Sequence, residues 1–383
     1  MLTIETKYSP SVNILRDQGR LFDYIQTTNA QKSFQSIFNN LKAGVKSHII
    51  IGAYGTGKSS FLLAFEQTLS GKASIFADKQ LVKSNNQFEF INVVGEYSSL
   101  ENHLAALLKI EESHSVSDII GAIDKKYELA SKSNKGLIVV IDEFGKFLEY
   151  AAKSNPASEI YFIQQLAEWA NDPGKNVSLV TVLHQNFSAY SLSLDNLQRQ
   201  EWEKVKGRFK ELPFNEPVEQ LLYLASERLN KKFPVTGSDK NFDKLFKTIA
   251  DAKVFPLKNY FAKEFAVKLY PFDILSAAVL TLALQKYGQN ERSLFSFIEN
   301  INEFWPNPLK KDSVNFISVT DLYDLLLNDH YTLLTSKYNP DYPQWSAMRR
   351  TLERIEGMFA NSEQQRHAES LIKLIGLLNI FAT

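Results

Sequence analysis

Three glycines, a lysine and a serine stand at fixed spacing in Gly52-Ala-Tyr-Gly-Thr-Gly-Lys-Ser59, which fits the pattern G-x-x-x-x-G-K-[ST]. A chain of phosphates needs many close hydrogen-bond donors. Backbone N–H groups supply them only where side chains stay away, and Gly52, Gly55 and Gly57 are expected to clear that space. An apolar β-type run precedes the loop and a helix over residues 60–69 follows it, so the positive end of the helix faces the phosphates. Lys58 is expected to neutralise the β and γ oxygens, and the Ser59 hydroxyl to ligate Mg²⁺. Tyr54, Thr56 and Ser60 complete the residues expected to surround the nucleotide. ATP with Mg²⁺ is the expected ligand.

Asp142 and Glu143 extend that chemistry. The run Leu137-Ile-Val-Val-Ile141 is apolar at every position and reads as a central parallel strand, neither face of which meets water. It delivers Asp142 to the carboxyl edge of the sheet, where ligands bind in open α/β folds. Asp142 is expected to hold Mg²⁺, and Glu143 to act as the base that deprotonates an attacking water. Two consecutive carboxylates there point to hydrolysis rather than to a small-molecule kinase. Residues 177–183 read as the neighbouring strand, ending in His184 and Gln185. One or other of these is expected near the γ-phosphate, to position water or sense phosphate loss. The other histidines are scattered and suggest no metal site.

These residues need an α/β frame. Residues 48–51, 88–94, 137–141 and 177–183 read as strands, with amphipathic helices between them, which implies a parallel sheet with helices on both faces. A helix is also expected over residues 30–41, with Phe34, Ile37, Phe38 and Leu41 on one face. Past Pro217 the pattern turns helical, with a loop over residues 231–240. The expected organisation is an N-terminal extension and helix (1–46), an α/β core (47–215), a helical lid (216–305) and a further helical region (306–383). The stretch Leu371-Ile-Lys-Leu-Ile-Gly-Leu-Leu-Asn-Ile-Phe381 is apolar enough to be expected to pack on something. The sequence reads as the front part of a longer protein, or as one whose end is an interface.

Composition sets the outer limits. The 383 residues are 44% hydrophobic and 22% charged, as in an ordinary soluble globular protein. The absence of cysteine excludes a disulfide scaffold, thiol catalysis and thiolate metal sites. Lysine plus arginine balances aspartate plus glutamate at 43 each, which excludes a wholly basic nucleic-acid coat protein but not a local basic patch. No apolar run approaches the roughly 18–20 residues of a membrane span. The first residues lack a secretory pattern. A cytoplasmic protein is expected.

The segment Glu203-Lys-Val-Lys-Gly-Arg208-Phe-Lys-Glu-Leu-Pro-Phe214 reads as a helix end, a glycine and a short strand. With residues 52–59, Asp142-Glu143 and the polar end of the 177–183 strand, it stands in the order found in AAA+ P-loop ATPases, and the chain resembles that family. The resemblance implies that Arg208 points at a neighbouring subunit's γ-phosphate, with Arg199 as second choice. It implies that Arg292, opening a helix near residue 293, reads nucleotide from the lid, and that the chain works as a homo-oligomer. Together with Ile141-Asp-Glu-Phe-Gly-Lys-Phe-Leu-Glu149, these segments are similar to N-terminal modules of large bacterial ATPases of phage-defence and restriction-type systems. That likeness implies DNA or an effector protein as partner; the short apolar runs lead to the expectation of no membrane. A slow-hydrolysing nucleotide switch that recruits DNA or protein is the alternative. An ABC transporter ATPase is disfavoured because Leu69-Ser-Gly71 follows the phosphate loop instead of preceding Asp142, and a helicase because its further motifs are missing.

Overall fold

The computed structural model describes residues 12–20, 24–76, 87–111, 115–215, 218–234, 240–252, 267–287 and 316–381, with a few isolated positions besides. Contacts divide the chain into two compact units, Met1–Asn215 and Glu216–Thr383.

In the first unit the chain order is α1 (Thr28–Lys42), β1 (Ser47–Ile51), α2 (Lys58–Leu69), β2 (Phe88–Val94), α3 (Leu100–Leu108), α4 (Val116–Lys132), β3 (Gly136–Asp142), α5 (Gly145–Ser154), α6 (Pro156–Ala170), β4 (Val177–Leu183), a 3₁₀ turn (Phe187–Ser191), α7 (Asn196–Lys206) and β5 (Lys210–Pro213). The five strands form one sheet in the order β2-β3-β4-β1-β5, every pair parallel. All seven residues of β3 and of β4 are buried. Alternate residues feed two cores, as the two-residue period of a strand requires. Leu137, Val139 and Ile141 join a core with residues of α3 to α7, whereas Ile138 and Val140 join one with Phe34 of α1 and Phe61 and Phe65 of α2. The fold is therefore an α/β P-loop architecture, a parallel sheet with helices on both faces, followed by a helical C-terminal unit. The buried Ser178 and Thr181 hydroxyls on β4 donate to the carbonyls of Lys46 and His48, so these polar groups are not stranded in the core.

The parallel strands all end at one edge, and β1 and β4 lie side by side with Ile51 opposite Leu183. The loops after β1, β3 and β4 therefore converge. β5 is shorter and more polar, and it pairs with β1 through Ile51 and Pro213.

The second unit contains α8 (Val218–Lys232), α9 (Lys240–Ala252), α10 (Ile274–Tyr287), the short antiparallel pair β6 (Leu309–Lys310) and β7 (Ser313–Val314), α11 (Val319–Leu334), α12 (Tyr342–Ile355) and α13 (Ser362–Phe381). Residue 231 belongs to α8 rather than to the expected loop, because the helix runs on through Lys232. α13 packs on α10, α11 and α12 and buries Leu377 and Phe381, while Leu371 and Ile375 remain exposed. The expected boundary near residue 306 and the expected helix near residue 293 fall outside the described residues.

Candidate functional site

The phosphate loop leaves β1 with Gly52, whose N–H donates to the Leu183 carbonyl of β4 at 3.1 Å. Gly52 has a packing reason to be glycine besides the one the motif suggests. A Cβ there would lie 2.1 Å from the Phe214 carbonyl oxygen and 3.0 Å from Thr56 Oγ1. The position thus answers at least to the close approach of the chain beyond β5. Gly55 and Gly57 fit the motif's own logic, with φ of 73° and 77° in the left-handed region that L side chains avoid. Thr56 is buried, and its hydroxyl donates to the Ala53 carbonyl at 2.9 Å, which pins the loop from within. Tyr54 is 62% exposed at the loop's rim.

α2 begins at Lys58, with Gly57 as its cap. No side chain caps this end and no acid sits in its first turn, so the first N–H groups, those of Ser59 and Ser60 among them, are not neutralised by a carboxylate of their own helix. The Lys58 ammonium donates to the carbonyls of Gly52 at 2.7 Å and Ala53 at 2.6 Å. It therefore already lies across the loop. The Ser59 side chain bonds to Asp142, which burial pushes up in pKa; the Ser59 bond, the Glu143 N–H at 2.9 Å and the attraction of Lys58 oppose that rise. A carboxylate 4% exposed beside a serine hydroxyl at an uncapped helix end is a donor set suited to a hard divalent cation with phosphate oxygens. The residues present therefore fit Mg²⁺ and a nucleotide phosphate chain, and Ser59 and Asp142 are the residues that would hold the metal.

Glu143 follows Asp142 with φ of 51°, a left-handed conformation unusual outside glycine. Its backbone is boxed in. Gly95, just past β2, donates to the Asp142 carbonyl at 2.8 Å, and a Cβ on it would meet the Glu143 carbonyl oxygen at 2.0 Å. On the other side the Phe144 N–H donates to Val182 of β4 at 3.0 Å. The Glu143 carboxylate, half exposed, is ion-paired with Lys146 of α5, whose pKa this pairing raises.

At the end of β4, His184 stacks on Tyr54 with ring centroids 4.4 Å apart and planes 25° from parallel. Burial lowers the His184 pKa, so the imidazole is neutral at neutral pH. Gln185 is exposed, and its side chain hydrogen-bonds Tyr190 of the 3₁₀ turn.

Arg208 stands at the other edge of the sheet. It precedes β5, whereas the phosphate loop follows β1, and the two strands are parallel. Asn171 ties it to that edge: its amide donates to the Arg208 carbonyl at 3.1 Å while its oxygen accepts from the N–H groups of Lys46 at 3.0 Å and Ser47 at 3.2 Å. About four residues of strand, ~13 Å, separate the two edges. The Arg208 guanidinium pairs with Glu168 at 2.7 Å and donates to the Lys204 carbonyl. Arg199 donates to the Leu192 carbonyl. Arg292 lies outside the described residues. The structure thus gathers Gly52 to Ser60, Asp142, Glu143, His184 and Gln185 at one edge and leaves both described arginine candidates out of direct contact with them.

No protein family and no curated protein matches the sequence. Among solved structures, the chain is similar to the ORC2 protein of Aeropyrum pernix in its ADPNP-ADP complexes, at 15% identity and a TM-score of 0.40 over 96% of this chain and 90% of that one. It is also similar to PCH-2 of C. elegans (15%, TM-score 0.43, 81% and 70% of the two chains) and to Drosophila ORC bound to DNA (11%, 0.39, 92% and 84%). The chemistry assigned to the site rests on its own geometry.

Gly95, Gly145, Lys146 and Tyr190 shape the site without having been singled out as site residues. Lys146 alone carried a local signal, as a cation three residues along the chain from Glu143. The others act through contacts between distant segments.

Proposed function

We propose that the chain binds ATP with Mg²⁺ and hydrolyses it, as an AAA+-type ATPase. The observation that carries this reading is the meeting of Lys58, Ser59 and the buried Asp142 at the uncapped start of α2, with Glu143 beside them. MgATP, when bound, supplies a phosphoanhydride and a metal that draws charge from it. The loop N–H groups and Lys58 hold the phosphates, and Lys58 gives up its bonds to Gly52 and Ala53 to do so. Ser59 and Asp142 hold the metal. Glu143 takes the proton of the attacking water, and His184 or Gln185 orients that water.

The resemblance in sequence supports the finer reading: an oligomer in a bacterial anti-phage defence complex, coupling hydrolysis to remodelling of DNA or of an effector protein. Arg208 would then complete the site of the neighbouring subunit. Its place at the far edge from its own phosphate loop supports a role in trans over one in cis. One observation favours the second reading, a slow nucleotide switch that recruits DNA or protein: the Glu143 carboxylate is engaged by Lys146. Turnover measured against protein concentration separates the two. A steep rise supports subunit-completed sites, and slow, concentration-independent turnover supports the switch.

The test of the cradle itself is Lys58→Ala. It removes the cation lying across the loop and should abolish binding of a fluorescent ATP analogue. Tight binding retained by this variant would refute the assignment.

A further inference from the structure

Asp17 is buried in a turn that precedes α1. Its carboxylate accepts from the Asn13 N–H at 2.9 Å and holds two arginines. Arg16 grips it as a fork, Nε on Oδ1 at 3.0 Å and Nη2 on Oδ2 at 2.6 Å, and Arg20 Nη1 reaches the same Oδ1 at 3.1 Å. One fork already meets both oxygens of a carboxylate, so the second guanidinium is surplus to burying this acid. The Arg16 and Arg20 side chains are 50% and 69% exposed, whereas that of Asp17 is 8% exposed. The pattern repeats alongside. Lys72 is 53% exposed, and its acid partner 3.6 Å away, Glu66 of α2, is 7% exposed. Glu66 also accepts from Gln18 at 3.0 Å and from Asn92 of β2 at 2.7 Å. The Gln67 amide donates to the Arg20 carbonyl at 2.6 Å, and the Lys72 N–H donates to the Gln67 carbonyl at 2.9 Å. Ile14 is sunk in the core that α2 helps to form, so the turn is held against the helix. Three cations thus face outward with their counter-charges beneath them. Glu66 lies eight residues, about 12 Å, along α2 from Lys58, which sets this patch apart from the phosphate loop.

We propose that Arg16, Arg20 and Lys72 form a docking surface for the phosphate backbone of duplex DNA, with Asp17 positioning both guanidiniums. The proposal rests on the DNA arm of the reading above and not on hydrolysis. A guanidinium offers five N–H donors in a plane that matches phosphate oxygens, and Asp17 takes one of those of Arg20. Two guanidiniums fixed on the oxygens of one carboxylate present their donors in a set arrangement. A duplex carries one charge per ~1.7 Å of helix axis, at fixed spacing, and so favours cations that need no ordering on binding. An anionic lipid surface is fluid and attracts loose cations as well as fixed ones. Amphipathic segments that bind it also insert apolar side chains, for which residues 12–20 offer only the exposed Leu15.

The test is the binding of fluorescein-labelled duplex DNA, followed by anisotropy over a range of salt, without nucleotide and with a non-hydrolysable ATP analogue. The wild type should bind. Arg16→Gln and Arg20→Gln should each weaken binding about eightfold at about 0.1 M salt and lower the slope of log K against log salt by about 0.9, the value of one phosphate contact. Asp17→Asn is the sharper variant. It adds one unit of positive charge, so plain attraction would tighten binding, whereas the loss of fixed guanidiniums should weaken it about fivefold, the cost of ordering a long side chain. Should Asp17→Asn fail to fold, the two exposed arginine variants decide alone. Unchanged binding in both arginine variants, or tighter binding by Asp17→Asn, overturns the proposal. So does a wild type that ignores the duplex, including one that is captured by phosphatidylserine vesicles instead. None of these results bears on the phosphate cradle, which Lys58→Ala tests separately.

Discussion

Gly95 shows how a residue with no chemistry of its own governs the candidate base. Its bare Cα lets the carbonyl of Glu143 sit where a Cβ would be, 2.0 Å away, and so permits the left-handed turn after Asp142. The obstructing atom is backbone and cannot swing aside. Gly95→Ala is expected to cost about 2 kcal/mol in urea unfolding, as overpacking in a tight core does, and to lower turnover at the same time. A variant that melts like the wild type would show the turn to be more pliable than its packing implies. The phosphate loop and the two acids were legible in the sequence because each is a contiguous motif whose spacing is its meaning. Gly95, Gly145 and Tyr190 were not, since each earns its role from a chain segment 45 or more residues away, as with Gly95 and Glu143, or from a ring folded back beneath β4. The packing of Gly52 against Phe214 was not legible either.

The strands were legible for a physical reason: β3 and β4 are buried on both faces, and such strands are written mostly in apolar residues, with the Ser178 and Thr181 hydroxyls on β4 donating to the carbonyls of Lys46 and His48. β5 was the weakest signal, since Lys210-Glu-Leu-Pro213 is short and half polar at the sheet's edge. Helix ends shifted by a residue or two where caps decided them, as at Thr27, whose side chain accepts from the Ala30 N–H and starts α1 at Thr28. β1 also carries a buried histidine that pattern reading passes over. His48 is fully buried, its Nδ1 has no hydrogen-bond partner, and Lys210 is its neighbour across the β1–β5 pair. Burial, aided by the Lys210 charge, lowers its pKa from 6.5 to about 4. The unfolded chain therefore takes up a proton near pH 6.5 while the folded chain resists until about pH 4. The contribution of the neutral ring to stability is present above pH 6.5 and is lost as pH falls toward 4. Between pH 7 and pH 5 the loss should be about 2 kcal/mol in urea unfolding. His48→Leu should remove most of that slope. An unchanged slope would place the acid sensitivity elsewhere.

At the scale of the molecule, the candidate phosphate site lies at one edge of the sheet and Arg208 at the other. Arg208 is held by an exposed ion pair with Glu168, of a kind worth about 0.2–1 kcal/mol, so releasing it to another subunit is cheap. An arginine finger is worth about 10³–10⁵ in rate. Arg208→Ala should therefore slow turnover by more than about tenfold, and mixing it with Glu143→Gln protein should restore part of the activity. No recovery on mixing would mean that each chain acts alone. The helical unit beyond Asn215 was legible as helical, but what it handles was not, because its helices carry packing patterns and no chemical motif.

The central claim is that residues 52–60 hold a triphosphate while Asp142 and Glu143 serve its metal and its water. The most direct measurement is the fate of bound nucleotide in the Glu143→Gln protein, trapped with Mg²⁺ and radiolabelled ATP and analysed after quenching. The account predicts that this variant retains intact ATP while the wild type yields ADP. Hydrolysis by the variant at the wild-type rate, or no nucleotide retained by either protein, would contradict it.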